Sequence, residues 1–116
     1  MAGIPAIGVC SWSLKTTSVP ELAKLMKEVG AAVAQVALGD PNHAVWKEGA
    51  GLLKALKASH IEISATMIGY PGEDYTTPQS IQKTGGFGDP ATRAERLEMF
   101  KRAVDMTADL KVKVLA

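Results

Sequence analysis

A single cysteine, Cys10, stands in 116 residues. One thiol forms no disulfide within the chain and cannot build a cysteine-based zinc cluster, so neither staple holds this fold. Charge of one sign is also missing: 13 Lys and Arg face 12 Asp and Glu, a net +1. So even a balance offers no basic field for nucleic acid and no polybasic patch for a membrane surface. No apolar run approaches the roughly 18 residues that a spanning helix needs. Residues 1–10 carry neither a basic leader nor an uninterrupted apolar core, so we expect no signal peptide. These absences predict a soluble protein, and the lone thiol fits a reducing cytoplasm. Aromatic residues are scarce as well, two each of Trp, Tyr and Phe.

What is present is alternation. Residues 6–12 read as a first strand, apolar on both faces as in a strand covered by helices. After a short loop, Ser18-Val19-Pro20-Glu21 is a capping box, in which the hydroxyl accepts from the third amide and the glutamate reaches back. Pro20 fits the first turn, where its missing N–H has no helical partner anyway. Leu22, Leu25, Met26 and Val29 recur on one helical face, and Gly30 supplies a left-handed stop. Residues 33–38 form a second strand, and Gly39 to His43 is a turn-rich loop. Residues 44–58 form the second helix, with Val45, Leu52, Leu53 and Leu56 as core candidates. Gly49 and Gly51 each weaken its first half by roughly 1 kcal/mol against alanine, which predicts an irregular start.

Residues 61–67, rich in apolar and β-branched side chains, form a third strand. Beyond it, residues 68–88 hold no periodic run long enough for a core helix. Connections longer than about 12–15 residues are uncommon in a compact domain and are usually lids, binding loops or disorder. Tyr70, Tyr75 and Phe87 argue against disorder. We therefore expect a substrate-covering loop, more mobile than any other link; the alternative is a surface excursion that packs its aromatics for stability alone. Asp89 then caps a third helix with Pro90 at its first position. Leu97, Phe100, Val104 and Thr107 mark its buried stripe, and Arg93, Glu95, Arg96, Glu98 and Lys101 face water. Residues 111–116 form a fourth strand.

The order β-α-β-α-β-α-β implies parallel strands with right-handed crossovers, an α/β fold. Helix-to-strand links are minimal, whereas strand-to-helix links are long and carry most polar and aromatic candidates. In parallel sheets and barrels the site lies where those longer links emerge, at the C-terminal strand ends. Ser11, Trp12 and Ser13 stand there after the first strand; Trp12 could stack on a sugar's apolar face or cap the core. His43, beside Asp40 after the second strand, is placed for substrate or acid–base work, against the alternative of a surface histidine. Cys10 has no neighbouring base and reads as packing, and His60, at the opposite end of the sheet, as structural. Glu73 and Asp74 are adjacent, which directs their carboxylates apart, so a hydrated turn is the better reading than a cation site. Gly85-Gly86-Phe87-Gly88 lacks G-x-G-x-x-G spacing and reads as a hinge or turn.

Two stretches carry a resemblance. Ile7-Gly-Val-Cys-Ser-Trp-Ser-Leu14 resembles the first strand of the sugar phosphate isomerase/epimerase family, the xylose-isomerase-like TIM barrels. Gly69-Tyr-Pro-Gly-Glu-Asp-Tyr-Thr-Thr77, with Thr84-Gly-Gly-Phe87, resembles the long loop after that family's third strand. The resemblance implies that residues 1–116 are the N-terminal half, a parallel (βα)3β half of a (β/α)8 barrel. It implies that Ser11, Trp12, His43, Met67 and Tyr70 line the pocket for a sugar or sugar phosphate. Family members are mostly divalent-metal enzymes whose ligands come mainly from strands five to eight, so the metal belongs to the full-length parent. No residue here inherits a metal-ligand or catalytic role, and this chain alone is expected to be inactive. A full barrel needs about 250 residues, so we expect a homo-oligomer that pairs open sheet edges. Two other readings remain: a self-associating structural half-barrel without catalysis, and an open flavodoxin-like binding module, for which a fifth strand and a phosphate loop are missing.

Overall fold

The first helix forms where local signals agree. In this computed structural model, which describes residues 6–39 and 46–116, α1 spans Val19–Val29. Ser18 is extended, and its Oγ accepts the Glu21 amide at 3.3 Å. Glu21 reaches one residue further back than the motif prescribes. Its Oε2 accepts from the Thr17 amide at 2.8 Å and the Thr17 hydroxyl at 3.1 Å. Those two bonds, backbone first, hold its carboxyl below the usual value. A distant group completes the cap: Glu48 Oε1 accepts from the Val19 amide at 2.8 Å, satisfying one of the amides that a helix start leaves orphaned. Gly30, at φ 72°, ends the helix by donating to the Lys27 and Met26 carbonyls, a conformation that glycine adopts without a Cβ penalty. Leu22 and Met26 are buried, whereas Val29, expected on the same face, is exposed at the helix end.

Three parallel strands follow in sequence order across one sheet: β1 (Gly8–Cys10), β2 (Val33–Gly39) and β3 (Ile63–Ile68). The first strand is shorter than the seven residues expected, because residues 11–15 coil into a tight turn in which the Ser13 amide donates to the Cys10 carbonyl. The third starts two residues late and slips its register at Ala34/Gln35. Ala34 and Val36 point into the core with Val19, Leu22, Met26, Leu52 and Leu56, and Val9 and Ile63 pack beside them. By strand alternation, Cys10, Gln35 and Ala65 face the other side; there the Cys10 thiol donates to Gln35 Oε1 at 3.1 Å.

The second helix does begin irregularly. A 3-10 turn, Gly49–Gly51, precedes α2 (Leu52–Ala58), in which Leu52 and Leu56 are buried; Val45 lies outside the described residues. The long connection after β3 is not wholly irregular: it contains a short helix, α3 (Pro78–Thr84), capped by Thr77 and with no buried residue. Asp89 and Pro90 then open α4 (Pro90–Asp109) as the sequence predicts, the Asp89 carboxylate accepting from the Ala91 amide at 2.9 Å.

The buried face of α4 is a correction. Thr107 is buried as expected, but Arg96 and Ala103 are buried with it, while Leu97, Phe100 and Val104 are exposed. Toward the start of the helix the buried positions thus lie one residue, about 100°, from the expected ones. Small side chains explain the offset: Ala103 and Thr107 let the helix come close enough to the sheet for a buried hydroxyl chain. Thr107 Oγ1 donates to the Ala103 carbonyl at 2.6 Å, which leaves the Thr66 hydroxyl to donate to Thr107 across 2.6 Å. The chain's last stretch is less than a full strand. It makes one parallel bridge, Thr66 to Leu115, with the Thr66 amide donating to Val114 and the Ile68 amide to Ala116.

Topology decides between the two sheet architectures. A flavodoxin-like sheet places its first strand inside, in the order 2-1-3-4-5. Among the described residues β1 is an edge and the order is sequential. Moreover α1 and α2 pack on the face that carries Val36, and α4 meets Thr66, which is in register with Val36 on that same face. Helices on one face of a sequentially ordered parallel sheet are barrel geometry.

Candidate functional site

The C-terminal strand ends are tied to one another by backbone and hydroxyl bonds. Ser11 is buried, and its Oγ accepts from the Ala37 amide at 3.0 Å while its carbonyl accepts from the Thr16 hydroxyl at 3.0 Å. It joins the end of β1 to β2. The Gly69 amide donates to the Gly39 carbonyl at 2.9 Å, joining β3 to β2 in the same way. Trp46, which the sequence did not single out, is buried and donates its indole N–H to the Ala37 carbonyl at 2.7 Å.

Of the five expected pocket residues, four are described. Trp12 is half-buried in the turn after β1, Met67 is buried on β3, and Tyr70 is buried two residues beyond it. With Ser11 they occupy the same end of the sheet. His43 lies outside the described residues, as does Asp40.

The connection after β3 is clamped by two charged residues. Glu73 Oε1 accepts from the Tyr70 amide at 2.7 Å, and its Oε2 accepts from the Gly86 amide at 3.1 Å. One carboxylate thus holds both ends of the excursion. Arg96 holds it from α4: its guanidinium donates to the carbonyls of Thr84 at 2.7 Å, Gly86 at 2.6 Å and Pro71 at 2.9 Å. The same guanidinium lies 5.4 Å above the Tyr70 ring, a cation–π geometry. Arg96, expected in water, is 4% exposed, and its Nε has no hydrogen-bond partner among the described residues. No periodicity argument finds such a residue, because its partners lie 10 to 25 positions away.

The acidic pair separates as adjacency requires. Glu73 turns inward, while Asp74 accepts from the Thr76 hydroxyl at 2.7 Å and the Thr76 amide at 2.9 Å, bonds that hold its carboxyl below the usual value. The glycine run is a turn. Gly86 has φ 64°, and a Cβ on Gly85 would stand 2.8 Å from the Ile81 carbonyl. Phe87 bridges Tyr70 and Phe100, with ring centroids 5.4 and 6.0 Å away. The Glu73 and Arg96 bonds pin both ends of the excursion to one another and to α4. The Tyr70 phenol is pushed above its ordinary value, by burial first and the Glu73 charge second, with Arg96 opposing.

This arrangement presents a neutral phenol, an indole and a thioether at the strand ends, backed by a buried cation. Among the described residues no three His, Cys, Asp or Glu side chains converge as a metal site. The described donors do not by themselves make a divalent-ion site. No helix among the described residues is long and apolar enough to cross a membrane.

No family model matches the chain, and no curated protein matches its sequence. Among solved structures, it is similar to a xylose isomerase domain protein from Planctomyces limnophilus, with a TM-score of 0.67 at 20% sequence identity. The match covers 95% of this chain and 39% of that one. At this identity the likeness is one of fold: three parallel strands and four helices arranged as part of a xylose-isomerase-like TIM barrel.

Proposed function

We propose that residues 1–116 form the N-terminal half-barrel of a sugar or sugar-phosphate isomerase or epimerase and contribute one wall of its pocket. The observation that carries this reading is the barrel geometry shared with the xylose isomerase domain protein, together with Trp12, Met67 and Tyr70 at the C-terminal strand ends. Aromatic faces suit the apolar faces of sugars, and barrel enzymes bind substrate at this end. Ser11 and His43 complete the proposed lining, with Ser11 acting chiefly by holding β1 against β2. Catalytic carboxylates and the ligands of a divalent metal would come from outside this half, so the chain by itself binds weakly and turns nothing over. A cytoplasmic enzyme that binds neither nucleic acid nor membrane completes the proposal.

Amide and indole NMR spectra recorded while a pentose ketose is added provide the test. We expect saturable shifts at Trp12, Tyr70 and the amides beside them, with no ketose consumed whether or not divalent metal is added. Shifts scattered away from the strand ends, or none at the highest soluble sugar concentration, would remove the sugar reading. Metal-dependent turnover by this chain would overturn the assignment of catalysis to another half.

A further inference from the structure

We infer that Arg96 is the positioning residue of the proposed pocket: it acts on a bound sugar through Tyr70, by fixing that ring and the turn behind it before any ligand arrives. This rests on the reading of Tyr70 as pocket lining.

Tyr70 opens a four-residue turn at the point where the chain leaves β3. Its carbonyl accepts from the Glu73 amide at 3.3 Å, and its amide donates to the Glu73 carboxylate at 2.7 Å. Pro71 at the second position and Gly72 at the third, with φ 83°, suit a type II turn. These bonds fix the backbone of Tyr70 but not its ring. The ring is held from further along the chain. The Arg96 guanidinium lies 5.4 Å from its centroid, and Phe87 packs beside it at 5.4 Å, tilted by 59°. Phe87 leans in turn on Phe100 of α4. Helix α4 therefore sets the ring by two routes. Only the Arg96 route also holds the backbone at that point, through the Pro71 carbonyl at 2.9 Å.

Packing alone does not call for a charge here. Burying a cation is costly unless it is paired. Arg96 is 4% exposed, its hydrogen bonds all go to carbonyls, and its Nε has no partner among the described residues. Further along the same buried face α4 carries only Ala103 and Thr107. What a planar fork supplies and an apolar chain does not is direction, since it holds three carbonyls and stacks on a ring at once. A wall already held in its binding shape spares the ligand the work of ordering it.

Indole and ring NMR spectra of the 116-residue chain, titrated with the pentose ketose D-xylulose, test this in the wild type, Arg96→Met, Arg96→Lys and Thr107→Val. The last variant loosens α4 at its Thr66 contact and keeps Arg96, so it controls for stability alone. In the folded Arg96→Met protein, the ketose concentration that half-saturates the Trp12 shift should rise about two- to tenfold, and the Tyr70 ring shift should disappear. Arg96→Lys should behave like Arg96→Met, and Thr107→Val like the wild type. Unchanged half-saturation in Arg96→Met overturns the inference. So does full rescue by lysine, which would make bare charge sufficient, and so does an equal rise in Thr107→Val, which would make stability the cause. Should both Arg96 variants unfold, the sugar-free wild type decides. A fork held by three carbonyls must give separate resonances for its two Nη groups, and one averaged signal refutes the fixed wall. Ketose shifts at Trp12 and Tyr70 with an affinity indifferent to Arg96 would leave the proposed function standing while removing this inference; no shift in the wild type removes both.

Discussion

Helices α1 and α4 both carry an apolar stripe at helical spacing, yet only one stripe is covered. In α1, Leu22 and Met26 sink into the cluster formed with Ala34, Val36, Leu52 and Leu56. In α4, Leu97, Phe100 and Val104 stay exposed while Arg96, Ala103 and Thr107 turn inward. The difference lies in what each helix must approach. Helix α1 meets a sheet face lined by Ala34 and Val36, where bulky apolar side chains fill space. Helix α4 meets Thr66 and the carbonyl-rich underside of the excursion, where a small hydroxyl and a forked cation are the better complement. An apolar stripe reports a face that profits from cover; the neighbouring surface decides which face receives it.

The largest effect should come from the covered stripe. Leu22 is fully buried, and Leu22→Ala removes a branched side chain from the middle of the cluster. We expect a loss of about 2–5 kcal/mol, read as a lower urea midpoint without a change of slope. A loss below 1 kcal/mol would mean that the α1 cluster is not the main core.

Arg96→Met comes next. It keeps much of the volume but leaves the carbonyls of Pro71, Thr84 and Gly86 without their donor. Water reaches part of this region, so the expected loss is about 1–3 kcal/mol. It should be local: hydrogen exchange at Tyr70 and Gly86 accelerates while α1 and β2 keep their protection. Arg96→Lys should rescue little, because a point charge cannot reproduce a fork that spans three carbonyls and stacks on Tyr70. Uniform acceleration across the chain would show that the clamp is part of the global core instead.

The contrast between Leu22 and Arg96 also marks how much was legible. Caps and stops are local chemistry, so Ser18, Gly30 and Asp89-Pro90 announce their helices directly. The alternating order was enough for a parallel sheet. Thr77-Pro78 carries the same signal as Asp89-Pro90, but α3 buries no residue, so no apolar period accompanies the cap. Arg96 sits in a charged run, Arg93-Ala-Glu-Arg96, that looks like a solvated face. Its role depends on carbonyls brought back by a turn that needs both Gly85 and Gly86, and such closure has no one-dimensional signature. Of the residues proposed for the pocket, Trp12 was legible as a strand-end residue, whereas Met67 and Tyr70 entered only through the family resemblance; all three stand at the C-terminal strand ends. Trp46 was missed because its hydrogen bond to Ala37 is a tertiary fact.

A smaller effect separates the two ends of the pH scale. Glu21 has its carboxyl lowered from 4.5, chiefly by the Thr17 amide and then the Thr17 hydroxyl. A lowered carboxyl contributes stability that is present above its unfolded value and fades as pH falls through the folded one. Thermal melts should therefore lose more on acidification in the wild type than in Glu21→Gln, and parallel acid limbs would refute the coupling. Tyr70 runs the other way. Burial raises its phenol above 10.0, so stability falls as pH rises past 10.0, and Tyr70→Phe should flatten that alkaline limb.

The smallest effect is expected where the apolar pattern is strongest to the eye. Leu97 and Val104 are 39% and 42% exposed on α4, one residue out of step with the face that packs. Their replacement by glutamine removes little buried area, and glutamine keeps good helix propensity. Each substitution should therefore change stability by no more than about 0.5 kcal/mol. A loss near that of Leu22→Ala would break the comparison between the helices, because it would place the stripe inside a core within the chain.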